Sequence, residues 1–142
     1  MKIYVKYFST EVLPLEKISQ GDWVDLRAAG DLALKAGEFA YLPLGVGMIL
    51  PEGFEAQLAP RSSTFKNYGI IVPNSPGVID SSYCGEEDEW KLPVYALRDT
   101  VIRLNDRVCQ FRLVRQQPEL EIVTVEHLHQ ESRGGFGSTG TR

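Results

Sequence analysis

The feature that most constrains the fold of this chain is a two-residue alternation of apolar side chains, which glycine and proline interrupt at short intervals. Such alternation predicts strands with one face in a core. Eight prolines and thirteen glycines among 142 residues keep these strands short, which is typical of all-β sandwiches and barrels. The alternating apolar positions between 42 and 58 are Leu42, Leu44, Val46, Met48 and Leu50 and then, after a turn at 51–53, Phe54, Ala56 and Leu58.

Two later segments alternate in the same way and are also expected to be strands. Their apolar faces are Cys109, Phe111 and Leu113 in the first, and Val123 and Val125 in the second.

One short helical turn interrupts the strands over 63–68. Ser62 or Ser63 is expected to cap its start, and Gly69 to end it. A chain of this length forms one domain with a core. We expect a β domain over 1–129 and a flexible C-terminal arm over 130–142.

The composition excludes several classes of function. The net charge of −4 argues against nucleic acid as a partner, because such proteins usually carry a basic face. No apolar run is long enough to span a bilayer, and the N-terminus lacks the apolar block of a signal peptide. We therefore expect a cytoplasmic protein without a membrane contact. The two cysteines and two histidines lack the spacing of a metal site, and neither a structural metal nor a disulfide is expected.

The stretch from 133 to 140 combines four glycines with groups that bind. Glycine amides can approach phosphate oxygens, an arginine can fork onto a phosphate, and a phenyl ring can lie on a base. This stretch can therefore close over a ligand with a phosphate end and a flat ring; the alternative is a disordered tail. The binding groups are Arg133, Phe136, Ser138 and Thr139.

The segment 60–63 joins a predicted strand to the helical turn. Free amides at a helix start, two hydroxyls and one guanidinium favour an anion cradle formed by Arg61, Ser62 and Ser63. The alternative is an ordinary serine cap beside a surface arginine.

The segment 74–85 predicts a hairpin that turns at Pro76 and Gly77. Its main-chain groups can match the edge of a base such as uracil without side chains, and an unmatched buried polar group would penalise a wrong base. Asp80 can act as a general base and Tyr83 can cover one face of a sugar. The alternative is a plain hairpin with a solvated aspartate and a half-buried tyrosine.

Two further polar positions are candidates on predicted strands. Asp25 can hold a metal-bound water or an arginine, and Gln110 can orient a water. The alternative for both is a polar side chain on the outer face of a strand.

In chain order, the segments 25–28, 60–63, 77–86, 106–110 and 133–140 resemble the five motifs of the trimeric dUTPase family, of its bacterial or phage type. The resemblance covers the whole chain, and its third and fifth motifs are the most specific. It implies a β jelly-roll or distorted-barrel subunit in a homotrimer whose three active sites each draw on all three chains.

The implied reaction is Mg²⁺-dependent hydrolysis of dUTP to dUMP and pyrophosphate, which limits uracil in DNA and supplies dUMP for dTMP synthesis. By the resemblance, Asp80 activates the water that attacks the α-phosphorus in line, and Gln110 positions the water or the α-phosphate. Asp25 reaches the metal through water. The implied phosphate contacts are Arg61, Ser62, Ser63, Arg133, Ser138 and Thr139; the implied nucleoside contacts are Asn74, Gly77, Ile79, Tyr83 and Phe136.

Other interpretations are a dCTP deaminase of the same fold, a regulatory protein that uses the nucleotide as a switch and binds a protein partner, and a purely structural jelly roll. The acidic run at 86–89 is expected to be a solvated loop, and Trp90 either contributes to the site or only packs.

Overall fold

The computed structural model describes residues 1–142, which form eleven strands and one five-residue helix, α1 Thr64–Tyr68. The strands are β1 Tyr4–Tyr7, β2 Val24–Arg27, β3 Leu32–Leu34, β4 Phe39–Pro43, β5 Val46–Ile49, β6 Phe54–Pro60, β7 Ile70–Ile71, β8 Gly77–Ile79, β9 Lys91–Ala96, β10 Thr100–Ile102 and β11 Arg107–Arg115.

These strands form four antiparallel sheets around one core. The largest has the order β2-β11-β6-β8, a second has the order β4-β9-β7, and β1-β5 and β3-β10 form two-stranded ribbons. No sheet closes on itself, so the all-β expectation is confirmed in its jelly-roll form, not as a barrel. The single helix is much too short to cross a membrane.

The alternation seen in the sequence places the core correctly. The predicted inward positions of β4 to β6 are buried except Phe54, which is half-buried. The indole of Trp90 lies edge-on to the ring of Phe111 with centroids 5.4 Å apart. Trp90 is completely buried, so it packs in the core instead of lining a pocket. The apolar run is nevertheless two strands, because Gly45 turns the chain at φ +71. Leu50, which follows β5, is only half-buried.

Helix α1 begins where it was expected but is held differently. Ser63 makes no side-chain cap hydrogen bond. Instead the buried Thr64 hydroxyl accepts from the Arg61 amide at 2.8 Å and donates to the Val108 carbonyl at 3.0 Å. Ser63 therefore occupies the N-cap position as expected, but its side chain does not cap the helix, and Thr64 ties the helix start to β11. Gly69 ends the helix in the left-handed region, as predicted.

The C-terminal segment leaves the fold at the end of β11. Residues 116–142 contain no strand, and Ile122 and Val123 are 91% and 67% exposed. The strand expected at 122–125 does not form within one chain, because no strand of the body pairs with it and a lone strand is not stable in water. The exposed segment thus begins before the arm predicted from residue 130.

Candidate active site

An arginine-lined cavity of about 300 Å³ opens beside the edge strand β2. We call it the cradle pocket. Its lining comes from the loop before β2, from β2 and β11, and from the junction of β6 and α1. Four candidates from separate segments of the sequence line this pocket together: Asp25, Arg61, Ser62 and Gln110.

Strand register explains why these residues meet. Gln110 on β11 pairs with Asp25 on β2 and with Ala59 on β6. Directly opposed residues project from the same face of a sheet, so Asp25 and Gln110 lie side by side. The Gln110 amide donates to the Pro60 carbonyl at 3.1 Å, which ties it to the strand that leads into Arg61.

Charge in the cradle pocket is concentrated and balanced, because three arginines and three carboxylates line it. The Arg61 Nε lies 2.9 Å from Oδ1 of Asp25, and an Arg107 Nη lies 3.6 Å from Oδ2. Arg27 also lines the cavity. Because the Asp25–Arg61 pair is partly exposed, it contributes at most about 1 kcal/mol to stability. Its main effect is to fix the Arg61 guanidinium in the lining of the cavity.

The donor set suits a metal that arrives with phosphates better than a resident metal. No group of three or more His, Cys, Asp or Glu side chains is placed to hold an ion, and both Asp25 oxygens already face arginines. Mg²⁺ keeps several waters and commonly takes one or two carboxylates together with substrate phosphates. Asp25 fits that role through water.

A second cavity, of about 490 Å³, lies at the opposite edge of the four-stranded sheet. We call it the hairpin pocket. Its walls include Ile79, Asp80 and Tyr83 from the predicted hairpin, together with Tyr41 and Glu89. Strand β8 pairs only with β6, so the outer backbone edge of β8 has no strand partner. Such an edge presents main-chain donors and acceptors.

Gly77 and Asn74 begin this hairpin. A Cβ on Gly77 would lie 3.1 Å from the Leu58 Cβ, so glycine lets β8 approach β6 closely. The Ser75–Pro76 peptide bond is cis. Asn74 is exposed and does not line the hairpin pocket.

Asp80 is held as a carboxylate at the end of β8. Its Oδ1 accepts from the Ser82 hydroxyl at 2.6 Å and from the Ser82 amide at 2.8 Å. These hydrogen bonds, the hydroxyl first, lower the pKa of Asp80 below its ordinary value of 3.8. Oδ2 has no hydrogen-bond partner in the chain and is free to face a water.

The two pockets are far apart within one chain. Asp25 lies on the edge strand β2, and Asp80 directly follows the opposite edge strand β8, three strand spacings away. Register places Asp80 about four residues further along. Strand spacing and rise then separate the two residues by roughly 19 Å. Within one chain, the two carboxylates therefore lie in separate pockets.

The C-terminal candidates contact neither pocket. Arg133, Ser138 and Thr139 are exposed, and Phe136 is fully exposed. Turns at 135–138 and 137–140 are the main internal order of this stretch.

Several residues were not identified as candidates from the sequence. Arg107 belongs to a motif that was recognised, yet its contact with Asp25 depends on the β2–β11 pairing. Glu89 was part of the run assigned to a solvated loop; it is instead half-buried, and its carboxylate accepts from the Gly45 amide at 3.0 Å. Tyr41 of β4 also lines the hairpin pocket. No local pattern in the sequence marks these contacts.

Comparison with known proteins gives a consistent result. The family model for dUTPase matches residues 19–140. The chain is 53% identical over 142 residues to the SPbeta prophage-derived deoxyuridine 5'-triphosphate nucleotidohydrolase YosS of Bacillus subtilis (strain 168), with all of both chains covered.

Solved structures show the same fold. A mutant Staphylococcus bacteriophage 80alpha dUTPase with dUpNHpp matches with a TM-score of 0.81 at 21% identity, over 99% of each chain. A mutant dUTPase from phage phi11 of S. aureus, described as coordinating a structural Mg(II) ion, matches with a TM-score of 0.77 at 18% identity, over 92% of this chain and 100% of its own.

Proposed function

Because this chain belongs to the dUTPase family, we propose that it hydrolyses dUTP to dUMP and pyrophosphate. The proposal rests on one observation: this member of the family has both an arginine-lined cavity and a fixed carboxylate at an open strand edge. Hydrolysis of dUTP would limit uracil in DNA and supply dUMP for dTMP synthesis, and we place the enzyme in the cytoplasm.

We further propose that the active enzyme is a homotrimer with shared sites. The separation of roughly 19 Å between Asp25 and Asp80 in one chain, which follows from strand spacing and rise, supports this, because both carboxylates are proposed to act at the phosphates of one dUTP. The first pocket would come from one copy, the second from another, and the arm from the third. Exposed apolar side chains beyond β11 favour contact with another copy; they are Leu120, Ile122, Val123, Val125 and Leu128.

Asp80 is the proposed general base. Its free Oδ2 would take a proton from water as the water oxygen bonds to the α-phosphorus. The bond from that phosphorus to the bridging oxygen breaks, and pyrophosphate leaves with the electron pair. Gln110, from another copy, would orient the water or the α-phosphate, because its amide is fixed on Pro60.

The cradle pocket would bind the charged end of the substrate. Arg61 and Ser62 line that cavity, and Ser63 lies beside them at the start of α1. Fixed cations stabilise negative charge as it builds on the departing pyrophosphate. Mg²⁺, when bound to the phosphates, would add charge neutralisation, and Asp25 would hold it through water.

The hairpin pocket would bind the nucleoside. Backbone groups around Gly77 and Ile79, together with Asn74, would frame the uracil, and Tyr83 would pack on the deoxyribose. The arm would then close, with Phe136 on the base and with its cation and hydroxyls on the γ-phosphate. The arm residues proposed for that phosphate are Arg133, Ser138 and Thr139.

A nucleotide panel tests this function. Purified protein with Mg²⁺ and dUTP, UTP, dTTP or dCTP should release pyrophosphate rapidly from dUTP alone. Ammonia from dCTP would instead indicate the deaminase, and no turnover of any nucleotide would contradict an enzymatic function.

A further inference from the structure

The acidic segment that follows the hairpin reaches back to the wall of the hairpin pocket. The Tyr83 hydroxyl donates to the main-chain carbonyl of Glu89 at 2.9 Å. Both residues line the cavity. Since the single phenol proton is used in this bond, Tyr83 presents its ring to the pocket and has no proton left to donate to a ligand.

The Glu89 carbonyl is itself fixed from both sides. The Glu89 carboxylate accepts from the Gly45 amide at 3.0 Å, at the turn between β4 and β5. On the other side, Trp90 is completely buried. Its amide donates to Val46 at 2.7 Å and its carbonyl accepts from Leu44 at 3.0 Å. Glu89 is therefore held against the core although it lies in an acidic run.

We propose that Glu89 is a positioning residue for sugar selection, acting by holding Tyr83 against the place where the 2′ carbon of the nucleotide lies. This inference rests on the proposed dUTPase function. A ring fixed in this way leaves no space for a 2′-hydroxyl, whereas a ring released from Glu89 can move aside and admit a ribonucleotide. The bond between the Glu89 carboxylate and the Gly45 amide fixes Glu89, and the bond between the Glu89 carbonyl and the Tyr83 hydroxyl then fixes the Tyr83 ring.

The neighbouring acidic residues do not share this role. Glu86 is paired with Lys6 at 2.7 Å on the surface, and Asp88 accepts from the Gly85 amide at 2.8 Å. The side chain of Glu87 makes no hydrogen bond or ion pair within the chain and is exposed. Glu87→Ala is therefore a matched control, with the same loss of charge in the same loop.

The test compares kcat/KM for dUTP with kcat/KM for UTP in four variants. Glu89→Ala should reduce the preference for dUTP about three- to tenfold, as expected from the loss of one net hydrogen bond. The change should come mainly from faster UTP turnover. Glu89→Gln keeps an acceptor for the Gly45 amide, so its preference for dUTP should equal that of the unmodified chain. Tyr83→Phe should reduce it by a similar factor, and Glu87→Ala should leave it unchanged.

A double variant shows whether the two residues act together. If Glu89 acts through Tyr83, adding Glu89→Ala to Tyr83→Phe should reduce the preference no further. Melting temperatures measured alongside separate selectivity from loss of fold. An unchanged preference in Glu89→Ala, or an equal loss of kcat/KM for dUTP and UTP, would overturn the inference. The proposed function would still stand if the unmodified chain hydrolyses dUTP. Absence of that turnover would overturn both.

Discussion

The folded body, which contains both pockets, differs from the C-terminal arm in how firmly its candidate groups are held. In the body, strand pairing places Gln110 opposite Asp25. Asp80, which directly follows the edge strand β8, is fixed by the hydroxyl and amide of Ser82, which both donate to one carboxylate oxygen. In the arm, Phe136 is fully exposed and contacts neither pocket. In the proposed mechanism the body is preorganised for chemistry, whereas the arm would be ordered by the ligand.

This difference separates two tasks. Fixed groups act on developing charge without reorganising during the reaction. An arm that orders only on substrate loses conformational entropy, which the full set of substrate contacts must offset. Closure would then depend on the correct nucleotide, and loss of pyrophosphate would release the arm. Each prediction below changes one side of this comparison.

The largest effect is expected from Asp80→Asn in the body. The amide cannot take the proton from water, so kcat should fall by about 10³-fold, while a non-hydrolysable dUTP analogue still binds and still orders the arm. Single-turnover kinetics and calorimetry measure the two quantities. Turnover within a few-fold of the unmodified chain would remove Asp80 as the base.

Deletion of residues 133–142 should lower kcat/KM by about a hundredfold, because the pocket is no longer closed over the reacting groups. The melting temperature should not change, since these residues make no contact with the body. Steady-state kinetics and thermal unfolding test both expectations together. A normal rate would show the arm to be a tail without function, and a large drop in melting temperature would show that it packs on the body.

Arg61→Ala should reduce kcat/KM for dUTP about tenfold, through loss of one charged phosphate contact. Arg61→Lys keeps the charge but loses the Nε that faces Asp25, and it should recover only part of the activity. Because the ion pair is partly exposed, unfolding free energy should change by less than about 1 kcal/mol. A large loss of stability with normal kinetics would make Arg61 a structural residue only.

The smallest effect concerns pH. The Ser82 hydroxyl holds the pKa of Asp80 below 3.8, and the carboxylate is the active form in the proposed mechanism. The rate should therefore persist as pH falls and decline only below the ordinary aspartate range. Ser82→Ala raises this pKa, so the acid limb of kcat/KM should move to higher pH. Ser81→Ala leaves the hydrogen bonds of Asp80 intact and should not move the acid limb. If the acid limb stays in place in both variants, it does not report the titration of Asp80.

Local sequence patterns were enough to predict much of the fold. Alternation placed the buried faces of β6 and β11, and Gly69 marked the end of α1, because each depends on neighbours within a few residues. Alternation also predicted a strand at 122–125 that does not form, since a pattern specifies a face but not a partner strand. The isolated chain lacks that partner.

The candidate site was less accessible to sequence reasoning. Candidate residues could be named by motif, but their grouping into two pockets required the strand order of the largest sheet. The Glu89 contact with Gly45 spans 44 residues. A run of four acidic residues resembles a solvated loop as long as the burial of its neighbour Trp90 is unknown. Long-range pairing determines both features.

A mixing experiment tests the shared site most directly. Asp80→Asn chains carry an intact arm, and chains that lack 133–142 carry an intact Asp80; each should be nearly inactive alone. When the two are unfolded together and refolded at equal amounts, random assembly of a symmetric trimer should restore about a quarter of the sites. Activity no greater than the sum of the two separate variants would show that each site belongs to a single chain, and would contradict this account.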